Sequence, residues 1–357
     1  MYDNLAKRVT LKASHGITFD KDSPVVDEIT KGFEYSDASV DDARLVVLNA
    51  IAAKDKGARI LTRTRCSNAK RVGDIWEVTL HDNQTGQQKV VKTKVLVNAA
   101  GPWVTRFFDD ALKMSSPKNI RLIKGSHIIV PRIHNDSQAY ILQNKDNRIV
   151  FVIPYEDDFS LIGTTDVEHI GDPATASISK EETDYLISVV NEHFKHQIST
   201  TDIVATYSGV RPLLDDESDS PDAVTRDYTF EVDAPKGKAP LLSVFGGKLT
   251  TYRKLSEAAV NGIIDHFPTA GKNWTANVVL PGGNFDNQHN LQTSLQRKYQ
   301  WLPRKIINRY VRSYGMLTHE ICAGINCLEA MGQYFGAGLY QREVEYLIGQ
   351  EWAITLE

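Results

Sequence analysis

The sequence predicts an α/β fold, and two strand–turn–helix junctions are the observations that predict it. In one, the apolar run 95–97 leads through the small residues 99–101 to a helix that Trp103 opens. In the other, the apolar run 241–245 leads through the pair Gly246-Gly247 into a helix. In α/β proteins such turns lie at the carboxyl edge of a parallel sheet, where nucleotides bind. We therefore expect both turns at one edge of one sheet.

The second junction is suited to binding an anion. Gly246 and Gly247 allow a sharp turn and let a ligand approach the backbone without meeting a Cβ atom. The first N–H groups of the following helix are free, and the helix dipole is positive at that end. Lys248 adds a full positive charge. A phosphate or an anionic ring would fit here, although an ordinary β–α connection is the alternative interpretation.

Before the first junction, the pattern predicts one helix and several strands. The acidic pair Asp41-Asp42 is suited to cap a helix that ends at Gly57, because a carboxylate accepts hydrogen bonds from the first N–H groups. The predicted strands are Ala58–Cys66, Ile75–Leu80 and Gln88–Thr93, the last two forming an antiparallel hairpin.

Between the two junctions, runs of β-branched residues predict an antiparallel sheet. Its strands are expected at His127–Val130, Arg148–Ile153 and Ser160–Gly163, with one helix near Lys180–Phe194. After the second junction the pattern is helical, at Leu291–Tyr299, Lys305–Tyr314 and Arg342–Trp352.

Composition excludes several classes of protein. The net charge is −4, which provides no basic field for nucleic acid. Cys66, Cys322 and Cys327 are too few for a disulfide scaffold and lack the paired spacing of a zinc site. The acidic run 215–222 suits a solvated loop better than a cation cage, so no metal is expected. No apolar run approaches the roughly 20 residues that span a bilayer, and we expect a cytoplasmic chain that meets a membrane only peripherally.

Six segments, in this order, carry a family resemblance: VNAAGPWV, IRLIKGSHIIVPR, RIVFVIPYEDDFSLIGTTDVEHIGDP, YSGVRPLLDDESDSP, TRDYTFEV and LLSVFGGKLTTYRKLSEAA. They resemble the FAD-dependent glycerol-3-phosphate dehydrogenases of the aerobic, quinone-linked kind. The resemblance implies a flavoprotein that oxidises sn-glycerol 3-phosphate to dihydroxyacetone phosphate. Hydride passes to FAD, and the electrons then pass to a membrane quinone at the inner face of the cytoplasmic membrane. Whether the chain forms a homodimer is left open.

The resemblance also implies a domain division. Residues 41–106 and 240–267 belong to an incomplete two-dinucleotide-binding FAD domain, 107–239 to an antiparallel-sheet substrate domain, and 268–357 to a truncated C-terminal helical domain. Members of the family begin with a G-x-G-x-x-G segment, and this sequence contains no such motif. We therefore expect an internal fragment that lacks activity by itself, in which residues 1–40 are the remnant of a segment of the substrate or cap region that began upstream. An oxygen-using glycerol-3-phosphate oxidase and a non-catalytic fragment stay open as alternatives.

Arg211 is the candidate for binding the substrate. It directly precedes a proline, which favours an extended backbone and a guanidinium aimed with little loss of entropy. A guanidinium can bind phosphate or a developing oxyanion through two hydrogen bonds. The alternative is a surface arginine paired with Asp215 or Asp216. Arg226 is a second candidate for the substrate phosphate, with Asp227 beside it as an alternative partner.

His127 and Lys248 are candidates for the chemistry. The matching histidine of the family lies near the flavin, so His127 is expected to hydrogen-bond the substrate or to take its proton, although a histidine in an apolar strand is often a core residue. Lys248 would place a positive charge beside the reduced flavin or act as a base, and we favour the charge. Thr250 and Thr251 would donate to the flavin or cap the helix.

The remaining cofactor contacts follow from the resemblance. Cys66 would bind the adenine through its backbone, unless it is only a small buried hydrophobe, and Trp103 is otherwise an ordinary core residue. The full set of expected FAD contacts is Cys66, Ala99, Ala100, Gly101, Trp103, Gly246, Gly247, Lys248, Leu249 and Thr250.

Overall fold

A computed structural model describes residues 11–215 and 227–355 of the protein. The chain divides into two compact units. The first comprises the described residues of Met1–Ala38, Cys66–Leu80 and Gln88–Ala270. The second comprises those of Ser39–Arg65, His81–Gln87 and Gly271–Glu357.

The described chain contains runs of strands with helices between them. The strands are β1 (His15–Thr18), β2 (Lys31–Glu34), β3 (Thr64–Val72), β4 (Ile75–Asp82), β5 (Gln88–Thr93), β6 (Leu96–Asn98), β7 (Ile120–Pro131), β8 (Tyr140–Gln143), β9 (Ile149–Tyr155), β10 (Phe159–Gly163), β11 (Val167–Glu168), β12 (Ala205–Leu214), β13 (Tyr228–Asp233), β14 (Leu241–Gly246), β15 (Tyr334–Gly336) and β16 (Leu339–Tyr340). The α-helices are α1 (Asp42–Asp55), α2 (Val104–Phe107), α3 (Lys180–His193), α4 (Tyr252–Asn261), α5 (Gln288–Lys298), α6 (Arg304–Tyr314), α7 (Thr318–Ile321) and α8 (Gln341–Glu351). This mixture confirms the predicted α/β class.

One predicted strand is misplaced. The sequence analysis places it at Ala58–Cys66, whereas β3 runs from Thr64 to Val72. Arg63 has a positive φ of 54°, which interrupts an extended path just before β3 begins. Leu61 is 55% exposed, so the apolar residues before that point are not part of a buried strand. Cys66 is therefore the third residue of β3 and does not end a strand.

The largest sheet of the first unit has six strands and is antiparallel, as predicted. Along one edge of β7 lies β12, which pairs with residues 120–129 of β7. β10 and β11 share the other edge of β7, and β9 and β8 follow beyond β10. One face of this sheet is closed by α3, through a core in which Ile128, Ile162 and Leu186 are fully buried. The opposite face is only partly covered.

A second sheet of the first unit contains both predicted junctions. Its order is β13-β14-β6, and β14 pairs with β6 in parallel, with Leu241 opposite Leu96 and Ser243 opposite Asn98. The run Leu241–Phe245 is buried throughout, as the sequence predicts. Parallel strands present their carboxyl ends at the same edge, so the turns after β6 and β14 lie side by side. The expectation of two turns at one sheet edge is confirmed.

The second unit packs helices around its own core. Helix α1 begins where predicted, with the Asp41 carboxylate accepting a hydrogen bond from the Arg44 N–H at 3.0 Å. Among the C-terminal helices, Glu343 of α8 is 1% exposed and pairs with Arg309 of α6. This unit groups α1 with the C-terminal helices, whereas the sequence-based division places residues 41–106 in the FAD-binding domain. That division stays a prediction.

Candidate active site

The partly covered face of the six-stranded sheet holds the candidate substrate residues. Side chains alternate between the two faces of a strand, and residues directly opposite on antiparallel neighbours share a face. Tyr207 and Gly163 both lie opposite His127, so these three residues share one face. Arg211 lies four residues beyond Tyr207 on β12 and shares that face. The structure thus brings Arg211 and His127 together on the open side of the sheet.

Arg211 is held by two side chains of one short segment. Its Nη1 lies 2.5 Å from Asp166 Oδ1, and its Nη2 donates to Thr164 Oγ1 at 3.3 Å. The guanidinium lies over Gly125, because a Cβ atom at Gly125 would come within 2.7 Å of Nη2. The Arg211 side chain keeps 33% exposure, which leaves it able to contact a ligand. Sequence reasoning missed Asp166 and named Asp215 or Asp216 as the alternative partner; Asp216 lies outside the described residues.

A buried carboxylate fixes the segment that holds Arg211. Residues 164–166 separate β10 from β11 along the same edge of β7. The Thr165 hydroxyl donates to Glu182 Oε1 at 2.6 Å and accepts the Ser126 N–H at 3.0 Å. Glu182 is 5% exposed and also accepts from Lys124 Nζ at 2.8 Å and Ser126 Oγ at 2.9 Å.

The same contacts control the charge of Glu182. Burial alone would raise the pKa of its carboxyl group, but the hydrogen bonds from Lys124, Thr165 and the Ser179 N–H outweigh burial and hold that pKa below its usual value. Glu182 is therefore a buried anion. Ser179 and Glu182 also form the capping box at the start of α3, so one side chain fixes both the helix and the segment before β11.

His127 lies in the middle of β7. The sequence pattern predicted it at the start of a strand, and that position is wrong. Its ring stacks on the Tyr207 ring, with 4.7 Å between centroids and an interplanar angle of 12°. Gly163 faces the same imidazole, and a Cβ atom there would collide with it. The ring is half-buried, so His127 differs from the fully buried core histidine of the alternative interpretation. Its expected role toward the substrate stays a prediction.

The second part of the site is the sheet edge formed by the two junctions. Gly101, Gly246 and Gly247 have positive φ values of 55°, 72° and 111°, which disfavour other residues. A Cβ atom at Gly101 would meet nothing within 4 Å among the described residues, so the backbone faces open space there. Lys248 is exposed just after the second turn. The Thr251 hydroxyl donates to the Lys248 carbonyl at 3.0 Å and caps no helix N–H, which removes the capping role considered for Thr251.

A buried polar pair lies directly behind these turns. Ser243 and Asn98 lie opposite each other in the parallel ladder and are 1% and 2% exposed. Asn98 Nδ2 donates to the Val104 carbonyl at 3.0 Å. Within the described ranges, the Ser243 hydroxyl has no hydrogen-bond partner. A buried hydroxyl without a partner is costly, so this edge is suited to receive a polar ligand.

Trp103, an expected cofactor contact, differs from the ordinary core residue of the alternative interpretation. It is 38% exposed, and its Nε1 donates to Asp172 Oδ1 at 3.1 Å. Arg106 pairs with the same carboxylate at 2.8 Å. Together with the Ala174 N–H, which has the largest effect, these donors lower the pKa of Asp172 to about 2. The turn after β6 is thereby tied to the loop that follows β11.

Other predicted site residues have mixed outcomes. Cys66 is half-buried, and burial raises the pKa of its thiol. Arg226 lies outside the described residues.

β12, which carries Arg211, contacts both β14 and the turn Gly101–Trp103, so the open sheet face and the sheet edge adjoin each other in the first unit. In the part of the chain that the structure describes, no cluster of acidic, histidine or cysteine side chains is arranged to hold a metal ion.

Comparison with known proteins shows the family to which the chain belongs. A family model described as FAD dependent oxidoreductase matches residues 3–253. The chain belongs to that family, in the group of the glycerol-3-phosphate dehydrogenases. FAD is its cofactor.

The chain is similar to two relatives in sequence and to one solved structure in fold. The chain is 52% identical to the glycerol-3-phosphate dehydrogenase of Pseudomonas aeruginosa, covering 100% of this chain and 70% of that protein. It is 50% identical to the aerobic glycerol-3-phosphate dehydrogenase of Escherichia coli K12, covering 99% and 70%. The glycerol-3-phosphate dehydrogenase of Bacillus halodurans complexed with FAD superposes with a TM-score of 0.77 at 24% identity, covering 93% of this chain and 66% of that one. The last match supports the fold alone.

Proposed function

We propose that the protein oxidises sn-glycerol 3-phosphate to dihydroxyacetone phosphate on the open face of the six-stranded sheet. The observation that carries this proposal is that Arg211 and His127 lie on the same face of that sheet, next to the sheet edge suited to FAD. The reaction removes a hydride from a secondary alcohol carbon and a proton from its oxygen. The site must therefore bind a phosphate dianion and accept a proton.

FAD, when bound, supplies the acceptor for the hydride. The residues that would hold it are the positive-φ glycines of the two turns, the backbone of Ala99 and Ala100, and the Ser243 hydroxyl behind them. Lys248 would add positive charge near the flavin without blocking the edge, because it is exposed. Trp103, Leu249, Thr250 and Cys66 stay as proposed cofactor contacts.

Arg211 would bind the substrate through donors that the protein leaves available. A guanidinium has five N–H donors, and Asp166 and Thr164 account for one contact each. The ion pair with Asp166 fixes the side chain before substrate arrives, which lowers the entropic cost of binding. Arg211 would bind the phosphate or stabilise the alkoxide oxygen.

His127 would receive the hydroxyl proton or donate a hydrogen bond to the substrate oxygen. Its stacking on Tyr207 and its close packing on Gly163 fix the plane of the ring. A ring held in one plane directs its nitrogen atoms along fixed lines, which general base catalysis requires.

We further propose a membrane quinone as the next electron acceptor, with the protein at the inner face of the cytoplasmic membrane. Support comes from the quinone-linked family that the motifs resemble and from the word "aerobic" in the name of the E. coli relative. Over the described ranges, no helix is long and apolar enough to span a bilayer. Reduction of a soluble quinone analogue without hydrogen peroxide would support this acceptor, and peroxide formation would favour the oxidase instead.

The central experiment replaces Arg211 by Ala in the FAD-loaded protein. Losing a charge-assisted contact in such a site typically costs roughly 10²-fold or more in turnover. We expect that loss with sn-glycerol 3-phosphate, while flavin absorbance shows FAD still bound. Arg148→Ala is the control, because Arg148 forms an ion pair with Asp146 away from this face. Turnover of Arg211→Ala within a few-fold of wild type would remove Arg211 from the site.

A further inference from the structure

Gly209 occupies a position where a strand does not ordinarily carry glycine. It lies in the interior of β12, directly opposite Gly125 of β7. Glycine in a strand interior weakens the strand and typically marks a bulge, a bend, or a place where a ligand or another backbone approaches. The register excludes a bulge, because every residue from Ala205 to Leu214 pairs one-to-one with β7. Gly209 also has no positive φ, so its backbone conformation does not require glycine.

No neighbour in the described part of the chain requires the absence of a side chain at Gly209 either. A Cβ atom there would meet no atom within 4 Å. Gly125 and Gly163 differ in this respect, because a Cβ atom at either would collide with Arg211 or His127. These two glycines make room for side chains of the protein itself. The space over Gly209 is left open by the fold.

The side chains two residues before and two residues after Gly209 both extend across to β7, and Gly125, which lies opposite Gly209, is one of the residues they reach. Arg211 extends over Gly125 on β7, and the Tyr207 ring stacks on His127 of the same strand. The Cα atoms of Tyr207 and Arg211 are separated by four residues of extended chain, about 13 Å. A bare stretch of β12 backbone therefore lies between an aromatic ring and a cationic group.

We propose that Gly209 is a specificity-determining residue whose bare backbone receives the carbon chain of the substrate while Arg211 holds its anionic group. This inference rests on the proposed function. A methyl group at position 209 would occupy the space of the polyol carbons without touching the protein. It would leave room for a small anion at Arg211.

The test measures binding by calorimetry to the FAD-loaded wild type and Gly209→Ala, with sn-glycerol 3-phosphate and with inorganic phosphate as separate probes. We expect Gly209→Ala to bind sn-glycerol 3-phosphate at least tenfold more weakly and phosphate within twofold of wild type. Its melting temperature should be unchanged or higher, because alanine is less flexible than glycine in the unfolded chain. Gly16→Ala is the matched control: Gly16 also lies in a strand, and a Cβ atom there meets nothing within 4 Å.

Four outcomes would overturn the inference. Equal affinity of wild type and Gly209→Ala for sn-glycerol 3-phosphate would show that nothing packs on Gly209. Equal weakening of phosphate and sn-glycerol 3-phosphate, or a lowered melting temperature, would show that the substitution disturbs the site itself. A wild type that does not bind sn-glycerol 3-phosphate would overturn the proposed function as well. That failure is distinguishable from failure of the Gly209 inference alone, because it is seen in the wild type without any substitution.

Discussion

Individual residues of the candidate site are positioned by residues that lack a side chain. Gly125 provides the surface on which the Arg211 guanidinium lies, and Gly163 does the same for the His127 ring. Both glycines are in a regular antiparallel sheet, where a larger residue would favour the strand. The sheet gives up some local stability so that two functional side chains lie flat against it.

The role of His127 is decided by the pH dependence of turnover. If its imidazole takes the substrate proton, it must be neutral in the active form, so activity should rise with pH as the imidazole loses its proton. We expect His127→Asn to flatten that rise. The measurement is turnover with sn-glycerol 3-phosphate from pH 5 to 9.

His81→Asn is the control for this prediction, because His81 lies at the end of the β4–β5 hairpin. A His127→Asn enzyme that keeps the rise would leave His127 as a hydrogen-bonding residue. The proton acceptor would then have to be sought at Lys248 or at a water molecule.

At the scale of elements, α3 and β7 are joined through Glu182. This carboxylate caps α3, pairs with Lys124 of β7 and accepts a hydrogen bond from Thr165. Thr165 lies between Thr164 and Asp166, the two partners of Arg211. Such a junction transmits the position of the helix to the segment 164–166. It was not predictable from sequence, because Ser179 and Glu182 indicate only a capping box and Lys124 is distant in the chain.

Glu182→Gln should destabilise the fold in a pH-dependent manner. Leaving the largely buried Lys124 ammonium with the Ser177 carbonyl but without its carboxylate partner costs roughly 3 kcal/mol in the free energy of unfolding. Because the folded-state pKa of Glu182 is lowered, the stabilisation is complete above its unfolded pKa, roughly 4.3, and is lost as pH falls below that value. Wild type and variant should therefore differ near pH 7 and converge in acid, as measured by urea unfolding.

Glu192→Gln tests whether any charge on α3 would act in the same way. Glu192 also pairs with a lysine, Lys145, but both side chains are exposed. Solvent screens such a pair, so little change is expected. If the free energies of unfolding of wild type and Glu182→Gln differ as much at low pH as at pH 7, the carboxylate charge of Glu182 is not the stabilising feature.

At the scale of the molecule, local sequence patterns predicted many of the helices and strands. They did not predict contacts between residues that are distant in the chain. The parallel edge at Leu96 and Leu241 was predictable, because an apolar run followed by small residues and a helix is a local signal. The misplaced strand at Ala58–Cys66 failed because the left-handed backbone at Arg63 leaves no trace in hydrophobicity. Asp166 was missed as the partner of Arg211 because residues 45 positions apart meet only through the pairing of β7 with two other strands.

The open edge of strand β6 is expected to drive association of whole molecules. β6 pairs with β14 on one side, and no described strand pairs with it on the other. Val97 on this strand is 46% exposed. Open apolar edges recruit other chains, and lysine is a residue that natural proteins place on edges to prevent this. We expect the wild-type chain to bind a hydrophobic dye and to self-associate, and Val97→Lys to reduce both.

Light scattering and dye fluorescence at matched concentrations measure this effect. Val260→Lys is the control, because Val260 is similarly exposed, at 51%, but lies on helix α4, where the backbone has no unpaired strand edge. If the open edge drives association, only Val97→Lys should shift the chain toward monomer. Equal effects of the two lysines would indicate a general effect of charge, and a wild-type chain that is already monomeric and melts cooperatively would mean that the β6 edge is not a site of association.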